Sequence, residues 1–159
     1  MPIRVLVVDD SRFMVRLIST ALEAAGDMEV VGYALDGQEA VLKAEKLRPD
    51  VITMDVVMPR MDGLQATRLI TAKVDTPIVI FSAYTQEGAS LTVEALQAGA
   101  VDCIAKPSGE RSMSLDSVAD DLVRKVRGVA MQARSGSAPR AATEQPVATT
   151  YSSLPTLTT

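Results

Sequence analysis

Asp55-Val56-Val57-Met58-Pro59-Arg60-Met61-Asp62-Gly63 follows directly on the apolar run Val51-Ile52-Thr53-Met54. The run reads as a buried strand from about Val51 to Asp55, so Asp55 falls where a strand ends and a loop begins. Asp62 is a natural N-cap, and a helix from Gly63 to about Lys73 is expected. In open parallel α/β sheets, ligands bind outside the carboxyl ends of the strands. One aspartate in such a place is often only a turn residue or a cap, so the meaning of Asp55 depends on what the other strand ends carry.

Working outward, Ile3-Arg4-Val5-Leu6-Val7-Val8 is nearly all apolar, as a strand covered on both faces should be. It closes on Asp9, Asp10 and Ser11. Met14, Leu17/Ile18, Ala21/Leu22 and Ala25 recur at helical spacing, and Gly26 is a plausible stop. Met28 to Ala34 reads as a second strand. Asp36-Gly37 starts a second helix with Ala40/Val41, Ala44 and Leu47 on its buried side, and Pro49 ends it. Ile78 to Phe81 reads as a fourth strand closing on Ser82-Ala83, with Tyr84 in the loop beyond. A helix from about Gln86 to Ala98 stops at Gly99. Val101 to Ala105 is the fifth strand, closed by Lys106-Pro107. A fifth helix begins near Ser114 or Leu115 and carries Val118/Ala119, Leu122, Val126 and Val129. Five strands alternating with five helices argue for an α/β fold with a parallel sheet and right-handed crossovers.

The totals agree with this architecture. A hydrophobic fraction of 47% suffices for a core, and with aromatics at 3% that core must be aliphatic. The net charge of −4 comes without a basic stripe, which argues against direct nucleic-acid binding. A single cysteine, Cys103, fits a reducing compartment. The chain enters a strand at once and has no run long enough to span a membrane, so a cytoplasmic location and no membrane insertion are expected. There is no histidine. That excludes a Ser-His-Asp or Cys-His catalytic set within this chain and a histidine-ligated metal. From about Ser135 to Thr159 the composition turns to Ser, Thr, Ala and Pro, which reads as a flexible linker or tail.

The strand ends together carry Asp9, Asp10, Asp55, Ser82 and Lys106. If the first and third strands are neighbours, three carboxylates converge, and one of them should take a proton. A divalent cation removes that problem. Mg²⁺ prefers oxygen ligands and is usually held by one or two carboxylates plus a substrate phosphate. Such a pocket suits phosphoryl chemistry: a carboxylate can accept the group as an aspartyl-phosphate, and a metal and a lysine can neutralise its oxygens. Taken singly, each residue has an ordinary reading. Asp9, Asp10 or Ser11 could cap the first helix, Lys106 could be a solvated lysine, Ser82 a turn residue, and Met54, Met58 and Met61 packing anchors.

Asp9-Asp10, Asp55 with Met58-Pro59-Arg60-Met61-Asp62-Gly63, Ser82-Ala83 and Lys106-Pro107 resemble the signature of two-component response-regulator receiver domains. The resemblance covers about Pro2 to Gly128, within a domain placed at 1–130 with a tail at 131–159. It implies a flavodoxin-like receiver fold with strand order 2-1-3-4-5 and five flanking helices. It also implies that Asp55 is the phosphoacceptor for a histidine kinase and that Asp10, Asp55 and the Val57 carbonyl bind Mg²⁺, with Asp9 supporting indirectly. The resemblance further implies that Lys106, with a cis bond to Pro107, contacts the phosphoryl group and that Ser82 is the switch hydroxyl. Cys103 stands where many receivers carry Tyr or Phe, so an aromatic rotamer switch cannot operate there, and a half-buried small apolar residue is expected instead.

Gly99-Ala100-Val101-Asp102 and Ala105-Lys106-Pro107-Ser108-Gly109 resemble more narrowly the receiver half of chemotaxis-type protein-glutamate methylesterases. That resemblance implies a hydrolase domain in a parent protein acting on glutamyl methyl esters and glutamines of chemoreceptors. This chain itself has neither the histidine nor the glycine-rich serine motif of such a domain. A stand-alone or transcriptional regulator is the alternative. A phosphatase resembling the haloacid-dehalogenase family would need an aspartate where Val57 stands. Nucleotide binding is also weak, since neither a P-loop nor Gly-x-Gly-x-x-Gly is present.

Overall fold

The computed structural model describes residues 1–83, 88–106 and 115–135. Strands β1 (Ile3–Val8), β2 (Met28–Ala34), β3 (Val51–Met54), β4 (Ile78–Ala83) and β5 (Asp102–Lys106) alternate with helices α1 (Arg12–Ala24), α2 (Gly37–Leu47), α3 (Gly63–Lys73), α4 (Gly88–Ala98) and α5 (Leu115–Arg134). All strand pairings are parallel and the order is 2-1-3-4-5, as expected.

Successive strand residues point to opposite faces, and the core divides accordingly. Leu6, Val8, Ile52, Met54, Ile78 and Ile80 pack with Ala40, Ala44, Leu64, Ile70 and Ala95, so α2, α3 and α4 cover one face. Val5, Val7, Val51, Val79 and Phe81 pack with Val15, Ile18, Leu22, Leu122 and Val126, so α1 and α5 cover the other. Helices α1, α2 and α3 start where the sequence placed them. Ser11, Asp36 and Asp62 each accept the N–H three residues on, from Met14, Glu39 and Gln65, which satisfies one of the orphan donors of each first turn. Gly26, with φ +89°, follows α1.

The limits differ in detail. β3 ends at Met54, although the Asp55 N–H still donates to the Val8 carbonyl at 2.9 Å. β4 runs on through Ser82 and Ala83, and β5 extends to Lys106, because both pair in register with the neighbouring strand. α5 continues past residue 130 to Arg134. There the Arg134 guanidinium donates to the Pro2 carbonyl and Asp50, holding the last turn against the start of β1. The expectations for Tyr84, Gln86, the Lys106-Pro107 bond, Ser108-Gly109, Ser114 and the tail from 136 lie outside the described residues.

Both sheet edges carry backbone groups bonded to charged side chains. On β2, the Val30 N–H donates to Glu23 and the Tyr33 carbonyl accepts from Lys43. On β5, the Cys103 N–H donates to the Asp102 carboxylate at 2.8 Å and its carbonyl accepts from Lys125 at 3.1 Å. Lys125 and Asp102 are themselves 3.6 Å apart. Cys103 is half-buried against the α2–α4 side of the core. Among the described residues, no helix is long and apolar enough to cross a membrane.

Candidate phosphoryl-accepting site

Period-2 alternation assembles the site. Val5 and Val7, Val51, and Ile104 face α1 and α5. The residues that continue the same parity past the strand ends or at the last strand position are Asp9, Asp55 and Lys106. They meet. Lys106 Nζ lies 2.6 Å from Asp9 Oδ2 and 3.4 Å from Asp55 Oδ1. Carboxylate oxygens of Asp9, Asp10 and Asp55 lie within 4.8 Å of one another, the one such acidic cluster found among the described residues. Asp9 and Asp55 are buried, whereas Asp10 is exposed at the rim.

The anchoring of each acid follows from its backbone. Asp9 Oδ1 accepts the Ser11 N–H at 3.0 Å, and the Asp9 N–H donates to the Ala34 carbonyl at 3.0 Å. Asp55 Oδ1 accepts the Val56 N–H at 2.8 Å. Burial, and next the Asp9 charge, push the Asp55 carboxyl up to about 6, with Lys106 and the Val56 N–H pulling the other way. The single ammonium is too little cation for the carboxylates it faces.

The loop after Asp55 is packed at closely spaced points. Met58 is buried in the core and Met61 packs against it. The Gly63 N–H donates to the Val56 carbonyl at 2.7 Å, and a Cβ at Gly63 would stand 1.9 Å from the Asp55 carbonyl oxygen. Val57, between these anchors, is 73% exposed. Ser82 is half-exposed one residue before the end of β4, opposite Ala105 and next in register to Ala83 opposite Lys106.

The expected set is thus brought to one end of the sheet. Asp9 and Asp55 contact Lys106 directly and Asp10 lies within 4.8 Å of both, while Ser82 and Val57 stand on the neighbouring strand end and loop. Sequence reasoning missed Arg60 and the second role of Asp36. Arg60 Nε donates to Asp36 Oδ2 at 2.9 Å, tying the loop to the start of α2. The paired Asp-Gly steps, Asp36-Gly37 and Asp62-Gly63, were the available signal that these two helix starts are built alike.

The donor set fits Mg²⁺. It consists of hard oxygen atoms, and Asp9 Oδ2 is buried with no aligned hydrogen bond even though the Lys106 ammonium stands beside it.

Comparison with known proteins agrees with this fold. The family model for the response regulator receiver domain matches residues 5–116. A protein-glutamate methylesterase/protein-glutamine glutaminase of Thermotoga maritima is 50% identical over 125 residues, covering 79% of this chain and 36% of the relative. The protein of the same name from Archaeoglobus fulgidus is 54% identical over 124 residues, covering 78% and 35%. The chain therefore spans about a third of the length of the curated relatives it matches. Among solved structures, the response regulator domain of Thermotoga maritima CheB is 48% identical with a TM-score of 0.75, covering 82% of this chain and 97% of that one. A chain from the CheX-CheY-BeF3-Mg+2 complex of Borrelia burgdorferi is 30% identical with a TM-score of 0.66, covering 80% and 90%.

Proposed function

Since the chain belongs to the response regulator receiver domain family, we propose that Asp55 accepts a phosphoryl group from the phosphohistidine of a histidine kinase. The observation that carries this is the buried Asp55 carboxylate, held against Asp9 and 3.4 Å from the Lys106 ammonium. The N–P bond of the donor breaks, an O–P bond forms at Asp55, and the imidazole leaves. Asp55 Oδ1 is engaged by the Val56 N–H and Lys106, so the nucleophile is the other oxygen, Oδ2. With a carboxyl titrating at about 6, Asp55 is mostly ionised at pH 7, as a nucleophile must be. Lys106 is already placed to neutralise the charge that arrives, and Ser82, on the adjoining strand end, supplies the hydroxyl that engages the product.

The residues that would hold Mg²⁺ are Asp10, Asp55 and the Val57 carbonyl, with Asp9 acting indirectly. The ion would neutralise negative charge on the transferred group's oxygens. Support comes from the excess of carboxylate over cation in the site and from the Borrelia complex, which contains Mg²⁺ and BeF3.

Support for the domain's output comes from its relatives. With 50% and 54% identity to protein-glutamate methylesterase/protein-glutamine glutaminases, phosphorylation here controls a linked hydrolase domain of that activity. Its substrates are chemoreceptor glutamyl esters and glutamines in the cytoplasm. Cys103 leaves the aromatic rotamer out of that control.

Intact mass after incubation with acetyl phosphate and Mg²⁺ tests the chemistry. The expected outcome is one added phosphoryl group on the wild type, none after EDTA, and none on Asp55→Asn. Equal uptake by wild type and Asp55→Asn would move the acceptor to another residue.

A further inference from the structure

Arg60 and Arg48 are the non-glycine residues with positive φ among those described; Arg60 has φ 66°. Arg48 ends α2, where a left-handed residue is usual. Arg60 ends no helix. It stands in the loop between Asp55 and α3, in a conformation that side chains other than Asn and Asp seldom adopt. Its Nε donates to Asp36 Oδ2 at 2.9 Å, while Asp36 Oδ1 caps α2 through the Glu39 N–H at 2.9 Å. The Glu39 N–H first, and Arg60 next, hold the Asp36 carboxyl below its ordinary range. A second tie lies beside the first. The Gly37 N–H donates to the Met61 carbonyl at 3.0 Å, and a Cβ on Gly37 would stand 2.4 Å from that oxygen.

The junction that receives the loop also holds the opposite side of the acidic cluster. Ala34, two residues before Asp36, accepts the Asp9 N–H at 3.0 Å. One short segment, Ala34 to Gly37, is therefore in contact with the strand end bearing Asp9 and Asp10 and with the loop bearing Val57. We propose that the Asp36–Arg60 ion pair is a positioning latch that sets the Val57 loop against the Asp9–Asp10 strand end and thereby tunes the affinity of the acidic cluster for Mg²⁺. This rests on the reading of that cluster as a Mg²⁺ site. Neither latch residue touches the metal; they act through the backbone between them.

The proposal makes a prediction opposite in sign to simple electrostatics. Arg60 is a cation near an acidic cluster, and deleting a cation there should tighten binding of a divalent ion by Coulomb's law. Loss of positioning should weaken it. Calorimetric titration of the phosphoryl-free protein with Mg²⁺ reads the difference without reference to activity. Arg60→Ala is expected to weaken Mg²⁺ binding about threefold, the scale of a partly exposed ion pair acting on a ligand indirectly. Arg60→Gly, which accepts the left-handed backbone freely, is expected to show the same loss. In an Asp36→Asn background, Arg60→Ala is expected to weaken binding no further, because the pair is already broken. Unchanged or tighter binding in Arg60→Ala would overturn the latch, as would recovery in Arg60→Gly, which would trace the loss to backbone strain. If the wild type itself bound no Mg²⁺ in the millimolar range, the metal reading would fall first and the latch with it.

Discussion

Asp55→Asn is expected to raise the stability of the metal-free protein at pH 7, even as it abolishes phosphoryl uptake. Burial and the Asp9 charge lift the Asp55 carboxyl to about 6 in the folded chain, against roughly 4 in an unfolded one. The folded state therefore holds a proton more tightly. The stability Asp55 contributes is complete below about pH 4 and is lost as pH rises through about 6. At pH 7 the ionised group costs on the order of 3 kcal/mol, at 1.36 kcal/mol per unit of pKa. Asparagine, which resembles the protonated acid in shape, escapes that cost. Thermal melts in EDTA should place the variant about 10 °C above the wild type at pH 7, with the two converging near pH 4. Added Mg²⁺ should raise the wild type and close the gap by mass action. A variant less stable than wild type at pH 7, or a gap independent of pH, would show that Lys106 already compensates the buried charge.

Gly63→Ala should be among the most damaging single-methyl changes available. The added carbon would stand 1.9 Å from the Asp55 carbonyl oxygen and 2.9 Å from both Asp55 C and Val56 Cα, all of them backbone atoms. No rotamer relieves such a contact. The helix start and the Asp55 strand end must separate, breaking the 2.7 Å bond from the Gly63 N–H to the Val56 carbonyl. A loss of at least about 3 kcal/mol in urea unfolding is expected. Gly128 provides the control. It lies inside α5 with nothing within 4 Å of an added carbon, so Gly128→Ala should stabilise by about 0.5–1 kcal/mol through helix propensity. If both changes were neutral, the close approach at Gly63 would be absent from the molecule in solution.

These two predictions also mark how far the sequence could be read. Asp9, Asp55 and Lys106 were legible because each follows a short apolar run, and a strand's end is the place such a run defines. Asp9-Asp10 as a doublet did not say which acid is buried. Alternation from Val5 and Val7 gives Asp9 to the covered face and leaves Asp10 at the rim, but only once the helices on each face are known. Gly63 and Gly37 looked like ordinary turn glycines after a cap. That each is small because another backbone lies against it depends on how the chain folds back, from Asp55 and Val56 onto Gly63 and from Met61 onto Gly37. The Asp36–Arg60 pair is hidden for the same reason, its members standing 24 positions apart. The extension of α5 past residue 130 escaped because Met131 and Arg134 do not continue the apolar stripe. Met131 is exposed, and Arg134 is held through polar contacts instead.

The charged side chains on the outer strands carry a consequence for self-association. A bare strand edge invites a second chain to pair with it, and proteins that stay soluble blunt their edges with charge. On β2 the Val30 N–H and the Tyr33 carbonyl are already bonded to Glu23 and Lys43; on β5 the Cys103 N–H and carbonyl are bonded to Asp102 and Lys125. A dimer built by extending the sheet would have to strip acids and lysines from both margins and leave them without partners. Charge at both edges thus opposes pairing of copies strand to strand, and the sheet described is five strands wide.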